Sequence, residues 1–325
     1  MPKKITLTLD QQAQLFQQLA HLEQAGLPAA EAFALVGKNT PLLRKALNTL
    51  PTRLRSGQKI SEAGFRAGLF DDNQRLVLAA AEQGGCLAAV YAKLAAYYAA
   101  TARRRKQMLS RLYLPAAVLV ISLFVQPLPD LVAARISAAD YLAQSAGTLA
   151  MLAVGIGALL KLPTVLVALG VSGAWHSLQL RLPPVAAWLT ARQLNRCYFL
   201  LALLLEAGLP YSQALPQAVA AIPNTRLRAQ FRPALALLPT GASVSETLAA
   251  VSLVKPATWQ IINTGEYSGQ LAETLQHFTE LDAQTLALQD EALAEWLPRL
   301  VYTAIGLWMA YGILARGLPL PPVLA

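Results

Sequence analysis

Leu19-Ala20-His21-Leu22-Glu23-Gln24-Ala25-Gly26-Leu27-Pro28 returns 182 residues later as Leu201-Ala202-Leu203-Leu204-Leu205-Glu206-Ala207-Gly208-Leu209-Pro210. A second block, Ser56-Gly57-Gln58-Lys59-Ile60-Ser61-Glu62, returns at a shift of 184 as Thr240-Gly241-Ala242-Ser243-Val244-Ser245-Glu246. A third, Glu82-Gln83-Gly84-Gly85-Cys86-Leu87, returns at 184 as Glu266-Tyr267-Ser268-Gly269-Gln270-Leu271. Three blocks in one order at a nearly constant offset argue for duplication of a module of about 100 residues.

Each block has a helical explanation. Leu15, Leu19 and Leu22 share one helix face, Gly26 supplies a left-handed residue past the helix end, and Pro28 suits the first turn of the next helix. Gly208 and Pro210 repeat that corner. Gly57 ends a helix, Ser61 caps the following one, and Glu62 opposes the positive end of its dipole. Gly241, Ser245 and Glu246 do the same in the second copy. Gly85 and Gly269 predict a sharp turn or a close helix contact ahead of a long helix, and in the first copy that helix, from about Leu87 to Arg111, runs directly into the first long apolar run. Glu82 and Glu266 hold one place in the repeat, which fits helix capping or an internal hydrogen bond, with partner or cation binding as the other reading. Nothing alternates with strand period, so each module reads as an all-α bundle of five or six short helices.

The chain around these modules is too apolar for a purely soluble protein. It has 325 residues, 55% apolar and 14% charged, with mean hydropathy +0.41. The net charge of +9 is uneven: residues 1–111 carry 16 basic and 7 acidic side chains, and residues 175–295 carry 7 and 9. Arg103, Arg104, Arg105, Lys106 and Arg111 form a basic cluster directly before the first long apolar run, which places that end in the cytoplasm. No aromatic platform or nucleic-acid motif accompanies the cations, so direct nucleic-acid binding is not expected.

The first span runs from Leu112 to about Leu128, and the segment from Asp130 to Asp140 lies on the far side. The apolar stretch from Leu142 to Trp175 reads as one tilted span over 146–167, with the remainder at the cytoplasmic interface. Lys161 within it is either functional or snorkelling to the interface. The last span runs from Trp296 to about Leu314. The acidic run Glu280, Asp282, Asp290, Glu291 and Glu295 reads as a solvated helix face.

Cys86 and Cys197 read as reduced structural thiols, and His21, His176 and His277 have no metal-ligand spacing. There is no Gly-x-x-x-x-Gly-Lys-[Ser/Thr] loop and no polar constellation for catalysis. No metal, cofactor or catalytic residue is expected.

The ordered motifs resemble the type II secretion system F proteins, the inner-membrane platform of type II secretion and type IV pilus machines. The likeness covers nearly the whole chain, although it begins almost directly at the first module, without the longer cytoplasmic leader of many members. It implies an all-α membrane protein with two homologous cytoplasmic helical bundles and three transmembrane helices. Repeat 1 then occupies 1–111, a transmembrane helix 112–129, a short periplasmic loop 130–145, and a second transmembrane helix with its interfacial extension 146–175. Repeat 2 occupies 176–295, a third transmembrane helix 296–315 and a periplasmic tail 316–325. The implied function is non-enzymatic coupling of a cytoplasmic hexameric assembly ATPase to pilin or pseudopilin polymerisation. The implied partners are that ATPase, other inner-membrane secretion or pilus components, pilin-like subunits, membrane lipids and the chain itself as a homo-oligomer. The alternative is a small membrane transporter using Lys161 as an intramembrane charge.

Overall fold

The structure, a computed structural model, describes residues 7–39, 47, 49–168 and 183–316, and every regular element among them is helical. Repeat 1 supplies α1 (Leu9–Gln24), α2 (Ala29–Asn39), α3 (Leu50–Arg55), α4 (Ile60–Arg66), α5 (Asp72–Gly84) and the long α6 (Leu87–Val125). A short α7 (Leu128–Val132) and α8 (Ala138–Ala168) follow. Repeat 2 supplies α9 (Pro183–Glu206), α10 (Tyr211–Ala220), α11 (Thr225–Ala229), α12 (Arg232–Leu237), α13 (Val244–Ala249), α14 (Pro256–Tyr267) and the long α15 (Leu271–Arg316).

The Ala-Gly-Leu-Pro corners are Schellman endings in both copies. Gly26 has φ +74° and Gly208 φ +87°, a conformation that an L side chain rarely adopts. The N–H of Leu27 donates to the Leu22 carbonyl at 3.0 Å, and that of Leu209 to the Leu204 carbonyl at 3.0 Å. Pro28 and Pro210 lie one residue before their helices rather than in the first turn. Their carbonyls accept the first helical bonds, from Ala32 and Ala214, both at 3.0 Å.

The described parts of residues 1–104 and 176–286 form one compact unit. The sequence treats the repeats as two bundles, yet in this unit they share one continuous apolar core. Corresponding positions fill it: Phe16 and Tyr198, Leu19 and Leu201, Leu78 and Ile262, and Tyr91 and Leu275 are all buried. Repeat 1 is the more aromatic half, with Phe16 stacked 6.0 Å from Phe70 and 5.8 Å from Tyr98. Gly64 makes room for that arrangement, because a Cβ there would run into the Phe70 ring. Repeat 2 places Leu248 and Val254 at the two corresponding positions, exchanging a small and a large residue for two of middle size.

Residues 105–175 and 287–325 make the second unit, described over 105–168 and 287–316. As the sequence reading expects, the helix that follows Gly85 runs directly into the first candidate span, as one element from Leu87 through Pro115 to Val125. Two boundaries differ from the sequence reading. Leu271–Arg316 is a single helix through Pro298, so the last candidate span is not a separate element. The stretch read as a loop over 130–145 is largely helical. Ser137 starts α8 by reciprocal bonds with Asp140: its hydroxyl accepts from the Asp140 N–H at 3.1 Å and donates to the carboxylate at 2.7 Å. Within this unit Tyr141 Oη donates to the Phe124 carbonyl at 2.9 Å, and Arg111 pairs with Glu295 at 3.6 Å. Leu114, Ile121, Met151, Val154 and Leu307 point outward and are exposed, as is Lys161. Among the described residues one helical stretch, Leu87–Val132, holds a window apolar enough to cross a membrane, with mean hydropathy 2.0. The interfacial extension beyond 168, His176 and the tail beyond Arg316 lie outside the described residues.

Candidate functional site

The two repeat glutamates occupy corresponding sites. Glu82, on α5, reaches the start of α4, where its carboxylate accepts from the Ile60 N–H, from the Ser61 N–H at 3.1 Å and from the Ser61 hydroxyl. Glu266, on α14, accepts from the Val244 N–H at 2.6 Å and the Ser245 N–H at 2.8 Å at the start of α13. The first N–H groups of a helix have no partner within it, and a carboxylate there also meets the positive end of the dipole. Each glutamate therefore caps a helix that lies 21 or 22 residues back in the chain.

This corrects the role given to the serines. Ser61 and Ser245 are buried second residues of α4 and α13, and the residues that precede those helices are Lys59 and Ser243. Ser243 makes a capping box with Glu246: its hydroxyl accepts from the Glu246 N–H at 3.1 Å, and its own N–H donates to the Glu246 carboxylate at 2.8 Å. Lys59 offers no side-chain cap, so Glu62, the counterpart of Glu246, turns outward to Arg66 at 2.8 Å and Arg75 at 3.5 Å. The hydrogen bond from Arg66 holds the Glu62 carboxyl below its usual range. Behind the sites, burial pushes the Tyr91 phenol upward beside Glu23 and Glu82, and the Tyr211 phenol upward beside Glu266. Tyr211 shares a 2.7 Å hydrogen bond with Thr247, and Trp259 Nε1 donates to the Ser245 carbonyl at 3.0 Å.

The remaining motif glycines turn the chain around these caps, with φ +83° at Gly57, +75° at Gly241, +67° at Gly85 and +69° at Gly269. Of the basic cluster, Arg104 donates to the Ala283 carbonyl at 3.3 Å and Arg111 to the Glu291 carbonyl at 3.3 Å. Arg103, Arg105 and Lys106 are exposed. The acidic run is not uniformly solvated, since Asp290 is buried and Asp282 accepts from Asn195 Nδ2 at 2.9 Å.

A second polar constellation, absent from the sequence reading, joins the repeats. Lys93 of α6 donates to both carboxylate oxygens of Glu206 on α9 and, at 2.6 Å, to Gln276 on α15. Beside it Gly84 lies against the Ala207 backbone carbonyl so closely that a Cβ has no room. The one sequence signal was the Gly84-Gly85 pair where the second copy has Ser268-Gly269. No group of three or more metal-ligating side chains gathers among the described residues.

A duplicated, all-helical module joined to a membrane-capable helix is thus the class of protein that the fold defines. The family model described as "Type II secretion system (T2SS), protein F" matches residues 15–128 and 198–319, once over each copy. The chain belongs to this family of inner-membrane secretion components. It is 27% identical to the type II secretion system protein F of Pseudomonas aeruginosa, over 84% of this chain and 73% of that protein. The corresponding protein of Vibrio cholerae is 26% identical, over 80% and 69% of the two chains. The "Protein transport protein HofC homolog" of Haemophilus influenzae is 24% identical, over 95% and 83%.

Proposed function

We propose that this protein is a non-enzymatic inner-membrane platform that couples a cytoplasmic hexameric assembly ATPase to polymerisation of pilin or pseudopilin subunits. The observation that carries this reading is the ordered duplication, which the family model matches twice. Both repeats then face the cytoplasm with the N-terminus, and three transmembrane helices cross within 112–129, 146–175 and 296–315. The juxtamembrane cations and the outward-facing apolar side chains of α6, α8 and α15 support that topology. Exposed Arg103, Arg105 and Lys106 suit anionic lipid headgroups.

Coupling is mechanical. A continuous helix carries displacement along its length, and α6 and α15 each contain residues of both compact units. Glu82 and Glu266 keep the short helices of each module in fixed register, so that force on a module moves it as a body. Other inner-membrane components and further copies of the chain complete the assembly.

Capture of the tagged full chain from its own membranes in mild detergent, with brief crosslinking and mass spectrometry, tests the reading. A ring ATPase and pilin-like subunits are expected, and the identity of the subunits names the machine. Repeated recovery of this chain alone, under conditions that keep other membrane assemblies intact, would overturn the coupling role.

A further inference from the structure

Ser145 is 1% exposed, and among the described residues its hydroxyl has no hydrogen-bond partner. A hydroxyl inside a helix ordinarily turns back to the carbonyl four residues earlier, as Ser122 does to Val118 at 2.8 Å and Thr148 to Gln144 at 2.7 Å. Ser145 lines a cavity of about 290 Å³ in the second unit, where the end of α6 meets α8 and α15. Gln126, Gln144, Thr148 and Trp308 line it as well, and among the described residues no charged side chain does. Gln144, Thr148 and Trp308 are exposed, as are Leu142 and Leu307 close to them in the chain, so the cavity opens on the apolar outer surface of the unit. Folded proteins rarely leave a buried hydroxyl unpaired, and one in the wall of a polar cavity marks where a bound group completes the bonding.

We propose that this cavity is a lipid-headgroup site that takes an uncharged vicinal diol, the terminal glycerol of a phosphatidylglycerol-type lipid. The lining selects the chemistry. Carboxamides and hydroxyls each supply both donor and acceptor, as a diol requires, and the indole adds one N–H and an apolar face for the carbon chain. An ammonium or phosphate group in the same place would leave water without meeting an opposite charge, which is costly. The phosphate that carries the diol therefore stays outside, in water. In the topology proposed above, Gln126 and Ser145 come at the far-side ends of the first two spans and Trp308 in the far-side half of the third. That is headgroup depth, where tryptophan is also enriched. The exposed juxtamembrane cations act on the opposite leaflet and through charge, whereas this site reads the uncharged end of a headgroup. The site rests on the proposed topology and is independent of coupling to an ATPase.

The test is native mass spectrometry of the full chain released from nanodiscs that hold phosphatidylglycerol, phosphatidylethanolamine and phosphatidic acid in equal amounts with the same acyl chains. The expected result is one phosphatidylglycerol retained about tenfold over either of the others. Ser145→Ala removes that preference and leaves the unfolding temperature in detergent unchanged, since the hydroxyl makes no bond within the protein. Gln144→Leu, at an exposed position, removes it as well. Phosphatidic acid carries the charge without the diol, so equal retention of the two anionic lipids overturns the proposal. Retention of no lipid above its share, as for a cavity that holds water or a neighbouring polar side chain, overturns it too, and so does a preference that survives both variants. Labelling of Ala143→Cys in spheroplasts by a membrane-impermeant maleimide checks the topology separately, so the site can fail while the topology stands.

Discussion

Glu82 and Glu266 perform one task with unequal reserves, and the difference is measurable at the level of single side chains. Glu82→Ala leaves the Ile60 and Ser61 N–H groups and the Ser61 hydroxyl unpaired, at a cost of about 2–3 kcal/mol. Glu266→Ala should cost about 1 kcal/mol less, because the Ser243–Glu246 box still caps α13. Denaturant unfolding of the purified protein followed by circular dichroism checks the order; equal losses would remove the reserve-cap explanation. A second prediction concerns Cys197, which is 2% exposed and whose thiol burial pushes up from 9.0 to about 12. It should resist maleimide at neutral pH in the folded protein and react at once after denaturation. A thiol raised in the fold is protonated there while its unfolded counterpart ionises. Its effect on stability is therefore nil below pH 9 and becomes a progressive loss as pH climbs toward 12. The sequence identified both glutamates as equivalent but misplaced the cap, because a serine four residues past a glycine reads locally as a cap, whereas the true acceptor arrives from a helix more than twenty residues on.

At the scale of elements, the repeats solve one packing problem twice. Gly64 beside Phe70 and Leu248 with Val254 fill matching positions with different partitions of volume. Gly64→Leu alone overpacks the α4 surface and should destabilise by about 1–3 kcal/mol. Phe70→Val alone opens a cavity beneath Phe16 and Phe33, at a cost of about 2–4 kcal/mol. The double variant, which recreates the repeat 2 pair, should lose at least about 1 kcal/mol less than the two losses added, and a double-mutant cycle of unfolding free energies reads that coupling. Helix type and the glycine corners were legible in the chain because caps and left-handed residues are local. The run of α6 into the first apolar stretch was legible too, because no turn residue separates Leu87 from that stretch. The continuity of α15 was not, because Pro298 marks a break, and nothing in the sequence tells whether neighbouring contacts hold the helix through it.

For the molecule as a whole, the junction between repeats is where residues far apart in sequence act together. Gly84→Ala pushes a methyl group into the Ala207 carbonyl, and Lys93→Met leaves Glu206 and Gln276 without their shared donor. The Lys93–Glu206 pair is less than one third exposed on either side, so a cycle with Glu206→Gln should give a coupling of about 1 kcal/mol that shrinks in high salt. Gly84→Ala should cost about 2 kcal/mol and raise proteolysis at the α9–α10 corner. An unchanged digestion pattern would mean that the repeats do not hold each other. By itself the sequence determined the duplication, the all-helical character, the membrane-capable segment and the family, because repetition, apolar periodicity, hydropathy and turn chemistry are written in residues close along the chain. Only the tertiary structure decided that the two repeats share one core, that each glutamate caps a distant helix, and that Lys93 of α6 meets Glu206 of α9 between the modules. Those outcomes depend on which surfaces exclude water from each other, and a contact across more than one hundred residues leaves no periodic trace in the sequence that makes it.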